Sequence, residues 1–181
     1  MKIIFAEALK PQVIKNEEGR KLIHGKVLEE SSHKSITINK LFQDIRIKYF
    51  LSLGVYLNSY LDIETPLVFI TDWTDPTEII GVRLEDSNGV TDYPELSCLA
   101  FYTNWDNIEG SGIEEIFGHE FSHLWLHRLG LVMRSSKSNK FHTCSAITDP
   151  YMTFSEGFAE HLEIVASELR GNPSEEIWDD G

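Results

Sequence analysis

From about Lys40 to Asp62 the apolar residues Leu41, Phe42, Ile45, Tyr49, Leu53, Tyr56, Leu57 and Tyr60 recur at intervals of three and four. That period predicts one amphipathic backing helix of about twenty residues, with its aromatic stripe turned to the core. Leu67-Val68-Phe69-Ile70, Glu78–Leu84 and Ser97–Thr103 are short apolar runs, and Asp86-Ser87-Asn88-Gly89 is a turn signal between the last two. They predict a small, largely antiparallel or mixed sheet. Residues 1–40 carry weaker signals, with Gln12–Lys15, Lys21–Glu30 and Ser35–Asn39 read as short strands of no assigned role. Ile113, Phe117, Phe121, Leu124, Trp125, Leu126 and Leu129 cover most of a helix circumference over 111–129, the mark of a buried helix, and Ser111 with Glu114 forms a capping box at its start. Asp149-Pro150 opens a final helix over 150–170 that stops near Gly171-Asn172-Pro173. Its wheel divides Phe154, Phe158, Leu162, Val165 and Leu169 from Glu156, Glu160 and Glu163.

Length and charge narrow the setting. A chain of 181 residues can bury a core of its own without disulfide staples. The formal charge of −13 repels a nucleic-acid backbone or an anionic membrane, so neither is an expected partner. Cys98 and Cys144 are too few and too far apart for a disulfide framework or a zinc ribbon and read as two small buried thiols. The opening Met1-Lys2-Ile3-Ile4-Phe5-Ala6-Glu7 is shorter than a signal-peptide core, and no apolar stretch reaches the ~20 residues of a membrane span. The expectation is a cytoplasmic protein, or a secreted one whose export signal is not in the sequence. No acidic residue occurs from Phe121 to Thr148, whereas Arg128, Arg134, Lys137 and Lys140 do. This basic island reads either as a lid that attracts a substrate carboxylate or as a solvated loop.

His119-Glu120-Phe121-Ser122-His123 changes the picture. Residues four apart on a helix lie about 40° apart around its axis, so both imidazoles reach one cation, and Glu120 stands beside it as a general base. Two histidines and a glutamate in a buried helix would each cost about 1–3 kcal/mol if left unpaired, and a bound metal satisfies them. A catalytic zinc site needs a third protein ligand. Leu126 and Leu129 stand where a longer histidine motif would supply one, and His127 lies about 12 Å along the axis from His119, too far to share its ion. Cys98–Tyr102, just ahead of this helix, is either a free sheet edge that pairs with an extended peptide or an interior strand.

The pair of motifs, His119-Glu120-Phe121-Ser122-His123 and then Ser155-Glu156-Gly157-Phe158-Ala159-Glu160, resembles the gluzincin zinc metallopeptidases over roughly residues 40–170, with local wording most similar to glycyl-aminopeptidase-like enzymes. The resemblance implies an α+β fold: a zincin-like catalytic domain over 40–172 with backing helix, small mixed sheet, active-site helix and glutamate helix, its C-terminal subdomain reduced or missing. An N-terminal β-rich segment would occupy 1–39 and a polar tail 173–181. It also implies one Zn2+ held by His119, His123 and Glu156, with Glu160 supporting a ligand histidine, and Tyr151, His142 or His161 as the stabiliser of the oxyanion. Read from the residues alone, Glu156 could instead face solvent or, if the helix began later than Asp149-Pro150 suggests, reach back to Thr153 in a capping box. The expected function is hydrolysis of peptide or protein substrates through a water on zinc activated by Glu120. The alternatives are a zinc-bearing peptide-binding or regulatory module that does not cleave, or the catalytic part of a longer protein. The Gly-x-Met-x-Asn string by which one aminopeptidase group reads a free N-terminus is missing near Phe101–Asn104.

Overall fold

The weakest part of the sequence pattern forms the longest strand. In the computed structural model, which describes residues 2–61, 65–74, 77–108, 112–131 and 150–170, the N-terminal stretch is β1 (Ile3–Lys15), paired antiparallel with β2 (Lys21–Val27) on one side. On its other side Ile3–Glu7 run parallel to β3 (Leu67–Thr71). β4 (Thr77–Asp86) joins β2 in parallel and forms a hairpin with β5 (Gly89–Ala100), and β5 returns parallel to β3. The order β1-β2-β4-β5-β3 closes on itself as a five-stranded barrel.

Closure at so small a strand number leaves little room inside, and a mixture of aliphatic and small residues fills it. Ala6, Ile23, Val68, Ile70, Val82, Leu84, Cys98 and Ala100 form the interior cluster. At Gly25 a Cβ would sit 3.1 Å from the Ala6 methyl and 3.3 Å from Ile70 Cδ1, so a side chain there would press the ring open. The alternate residues Leu67, Phe69, Leu99 and Phe101 point outward into a second core shared with the helices. There Phe117 stacks against Phe69 at 5.7 Å, Phe101 at 6.2 Å and Phe121 at 5.3 Å.

The helices are α1 (His33–Leu41), α2 (Ile45–Leu61), α3 (Ile113–Arg128) and α4 (Pro150–Arg170). Several expectations need correction. A closed barrel with helices packed on its outside is not the zincin-like α+β domain with a backing helix that the resemblance implies. The reason is β1, whose pairing with both β2 and β3 closes the sheet. Ser35–Asn39 lies in α1, not in a strand, because Ser32 Oγ accepts the Ser35 backbone N–H at 3.1 Å and caps a helix there. The single helix of 40–62 is two. Asp44 takes the Arg46 backbone N–H at 2.9 Å and starts α2 afresh after the turn at Phe42–Asp44. Nor does the aromatic stripe of α2 face the core, since Ile45, Tyr49, Tyr56 and Tyr60 are exposed and Ile47, Phe50, Gly54 and Asn58 are buried. β5 lies between β4 and β3, so Cys98–Ala100 has no free edge for a peptide. Finally, the N-cap of α3 is Gly112, in a left-handed conformation with no side-chain cap bond, and Ser111 lies outside the described residues.

Candidate metal centre

α3 separates its faces sharply. Phe117, Phe121, Leu124 and Trp125 are buried against the barrel and α2, whereas His119, Glu120 and His123 are half-buried on the side that meets α4. α4 approaches with an inner face made of Ser155, Glu156, Ala159, Leu162, Glu163 and Ala166, two of them fully buried alanines. Gly118 permits the contact, for a Cβ there would stand 2.8 Å from Phe50 Cε2 and 3.1 Å from the Leu162 carbonyl oxygen. Phe154 stays outside, 53% exposed and stacked on Phe158. So the carboxylate side of α4, not its aromatic side, is the one directed at the histidines.

Three ligand atoms meet in the gap. His119 Nε2 and His123 Nε2 are 3.3 Å apart, and Glu156 Oε2 is 3.6 Å from the first and 3.7 Å from the second. A point equidistant from these atoms lies about 2.1 Å from each, the bond length of zinc to nitrogen or carboxylate oxygen. Tetrahedral zinc needs edges of about 3.4 Å between donors, so the set also suits a fourth, open position. Among the described residues this is the group of histidines and carboxylates with metal-binding geometry.

The rings are held from behind. A carboxylate cannot donate, so His119 Nδ1–H donates to Glu163 Oε2 at 3.2 Å, and Nε2 is the nitrogen left facing the gap. His123 Nδ1 lies 2.9 Å from Ser155 Oγ, a contact that orients the second ring with Nε2 toward the gap. Ser122 Oγ donates to the His119 carbonyl oxygen at 2.6 Å and ties the turn between them. Burial lowers the pKa of His119, but its bonds to Glu156 and Glu163 and the charge of Glu120 outweigh that, and the ring rises to about 10. Glu156, Glu163 and Glu120 thus make the surroundings of His119 favour a positive charge.

Glu160 is exposed on α4. His161 is exposed too, about 140° round the helix from Glu156 and directed away from the ligands. His142, the Tyr151 side chain, Cys144, Arg134, Lys137, Lys140 and the tail lie outside the described residues. Cys98 is buried in the barrel. His127 turns from the site to Ser97 Oγ on β5. Arg128 is part of the scaffold, donating to the Pro66 carbonyl at 2.6 Å, and burial lowers its pKa to about 10. Sequence reasoning missed Glu163 and Ser155 as supports. For Glu163 a signal existed, since seven residues return to within about 20° on a helix, closer to Glu156 than the four-residue step to Glu160.

Comparison with family models, with curated proteins and with solved structures gives no match to this chain. No helix among the described residues is long and apolar enough to cross a membrane.

Proposed function

We propose that this chain is a zinc-dependent peptidase that uses the gluzincin ligand set on a barrel-based fold. The observation that carries the reading is the convergence of His119 Nε2, His123 Nε2 and Glu156 Oε2 at zinc-bonding separations. Zinc supplies a Lewis acid that activates water at neutral pH. His119, His123 and Glu156 would hold it, with Glu163 and Ser155 keeping both Nε2 atoms turned inward. Glu120, on the same face of α3, takes the proton as the water oxygen bonds to the substrate carbonyl carbon. It returns that proton to the nitrogen as the C–N bond breaks, which yields a carboxylate and an amine. The charge of −13 supports a peptide over a polyanionic substrate, and a buried thiol at Cys98 suits the reducing cytoplasm.

The test combines metal analysis with hydrolysis of a peptide library by the wild-type chain and by Glu120→Gln, each with and without a chelator. Both proteins are expected to retain one zinc, and cleavage by the wild type alone, abolished by the chelator, is the expected result. Wild-type protein without zinc, or a Glu120→Gln variant that turns over at the wild-type rate, overturns the proposal. Bound zinc with no cleavage in either protein would instead identify a zinc-bearing binding module.

A further inference from the structure

The face of α2 that sequence periodicity assigns to the core is on the surface. Tyr56 is 65% and Tyr60 77% exposed, and Ile45 and Tyr49 continue the ridge toward the start of the helix. About a quarter-turn round the same helix, Lys48, Leu51, Ser52 and Val55 form one wall of a groove of about 850 Å³ whose floor includes Ile4, Phe5, Val27 and Leu28. Ridge and groove therefore lie side by side on one surface, a protruding aromatic row next to a concave receptor of mixed apolar and polar lining.

Charge singles this surface out. α2 contains no aspartate or glutamate in its 17 residues, in a chain whose formal charge is −13. The charged residues on the groove wall balance, Lys2 and Lys48 against Glu30 and Asp86. Two copies of so acidic a molecule repel over most approaches, and a face without net negative charge is one through which they can meet. A two-fold interface must also be self-complementary, with the same patch contributing both the projection and the receptor. Tyrosine suits it, being enriched at interfaces where an apolar ring packs and a hydroxyl stays wet. We propose that the chain forms a two-fold homodimer through α2, the Tyr49–Tyr56–Tyr60 ridge of each copy seated in the groove of the other. None of the groove residues belongs to α3 or α4, so the dimer does not depend on the metal centre.

Sedimentation velocity over a concentration series spanning about two decades reads the result directly. The wild-type chain should sediment as a dimer that dissociates on dilution, and Tyr56→Glu and Tyr60→Glu should each raise its dissociation constant at least about tenfold. Their circular dichroism should be unchanged, because both positions are exposed, and Tyr56→Phe should dimerise as the wild type does. Added salt should tighten the wild-type dimer by screening the repulsion between copies. A wild-type monomer at every concentration, glutamate variants that dimerise normally, or a dimer that salt dissolves would each overturn the proposal.

Discussion

Glu163 and Glu160 sit three residues apart on α4 with opposite assignments. Glu163 accepts from His119 at 3.2 Å, whereas Glu160 is exposed. Glu163→Gln should therefore weaken zinc affinity about 10–100-fold, because the amide can present an N–H to the imidazole and favour the tautomer that withdraws Nε2. Glu160→Gln, at an exposed position of the same helix, is the comparison. Competition against a chromogenic chelator measures both, and equal losses would return the supporting role to Glu160. The ligand pair on α3 was legible because four-residue spacing on one helix is a local property. Glu156 became legible only through likeness of wording, since its partner helix is remote in sequence. Ser155 was not legible at all, since a serine beside a ligand has no distinguishing pattern until the second histidine is known to face it.

At the scale of elements, the site depends on how closely α4 approaches α3. The Leu162 carbonyl would lie 3.1 Å from a Cβ at Gly118, and Phe50 closer still, so the glycine sets that spacing. Gly118→Ala should cost about 1–3 kcal/mol in stability from overpacking and should weaken zinc binding as well, because Glu156 and Glu163 move with α4. Urea unfolding and metal titration of the same variant check this, and a stability loss with unchanged affinity would show that Phe50 gives way instead of α4. Gly54 explains why the face of α2 was misread. α2 is apolar nearly all round, and a Cβ at 54 would stand 2.8 Å from Phe121 Cζ and 3.0 Å from Trp125 Cζ2. The side containing the smallest residue is the one that can sit against α3, and a period analysis weighted by ring size picks the other.

For the whole molecule, the barrel rim and α1 are joined by one cation. Lys34 Nζ lies 2.6 Å from Glu7 Oε2 on β1 and 3.0 Å from Asp72 Oδ2 just after β3, and it stands over the Trp105 ring at 4.9 Å. Asp72, at φ 61°, holds an unusual left-handed conformation, and its other oxygen accepts Trp105 Nε1–H at 2.6 Å. Burial lowers the pKa of Lys34, but the bonds to Glu7 and Asp72 outweigh it and raise the group above its usual 10.5. A raised folded-state pKa means that this contribution is complete below pH 10.5 and is lost as pH climbs through the folded value. Lys34→Met should lower the urea midpoint at pH 8 and narrow its gap to wild type in strong alkali, and a gap that stays constant with pH would exclude the linkage. The size is modest, as the ammonium is a third exposed. Strands β3 and β4 and the hairpin turn were legible from runs and turn residues. The ring was not, because closure is decided by which distant edges meet, and Ile3–Glu7 carries no mark of a partner more than sixty residues away.

That ring carries a kinetic obligation. Of the five barrel strands β1 is made before the others and has one neighbour close at hand in β2, yet its other edge must wait for β3, and the circle is complete only when β5 arrives to join β3 and β4. Until then the nascent sheet shows open flanks to whatever strand passes, and a segment as apolar as Leu67–Ile70 is an invitation to the wrong one. A fold with no edges in its finished state must survive a period of having several.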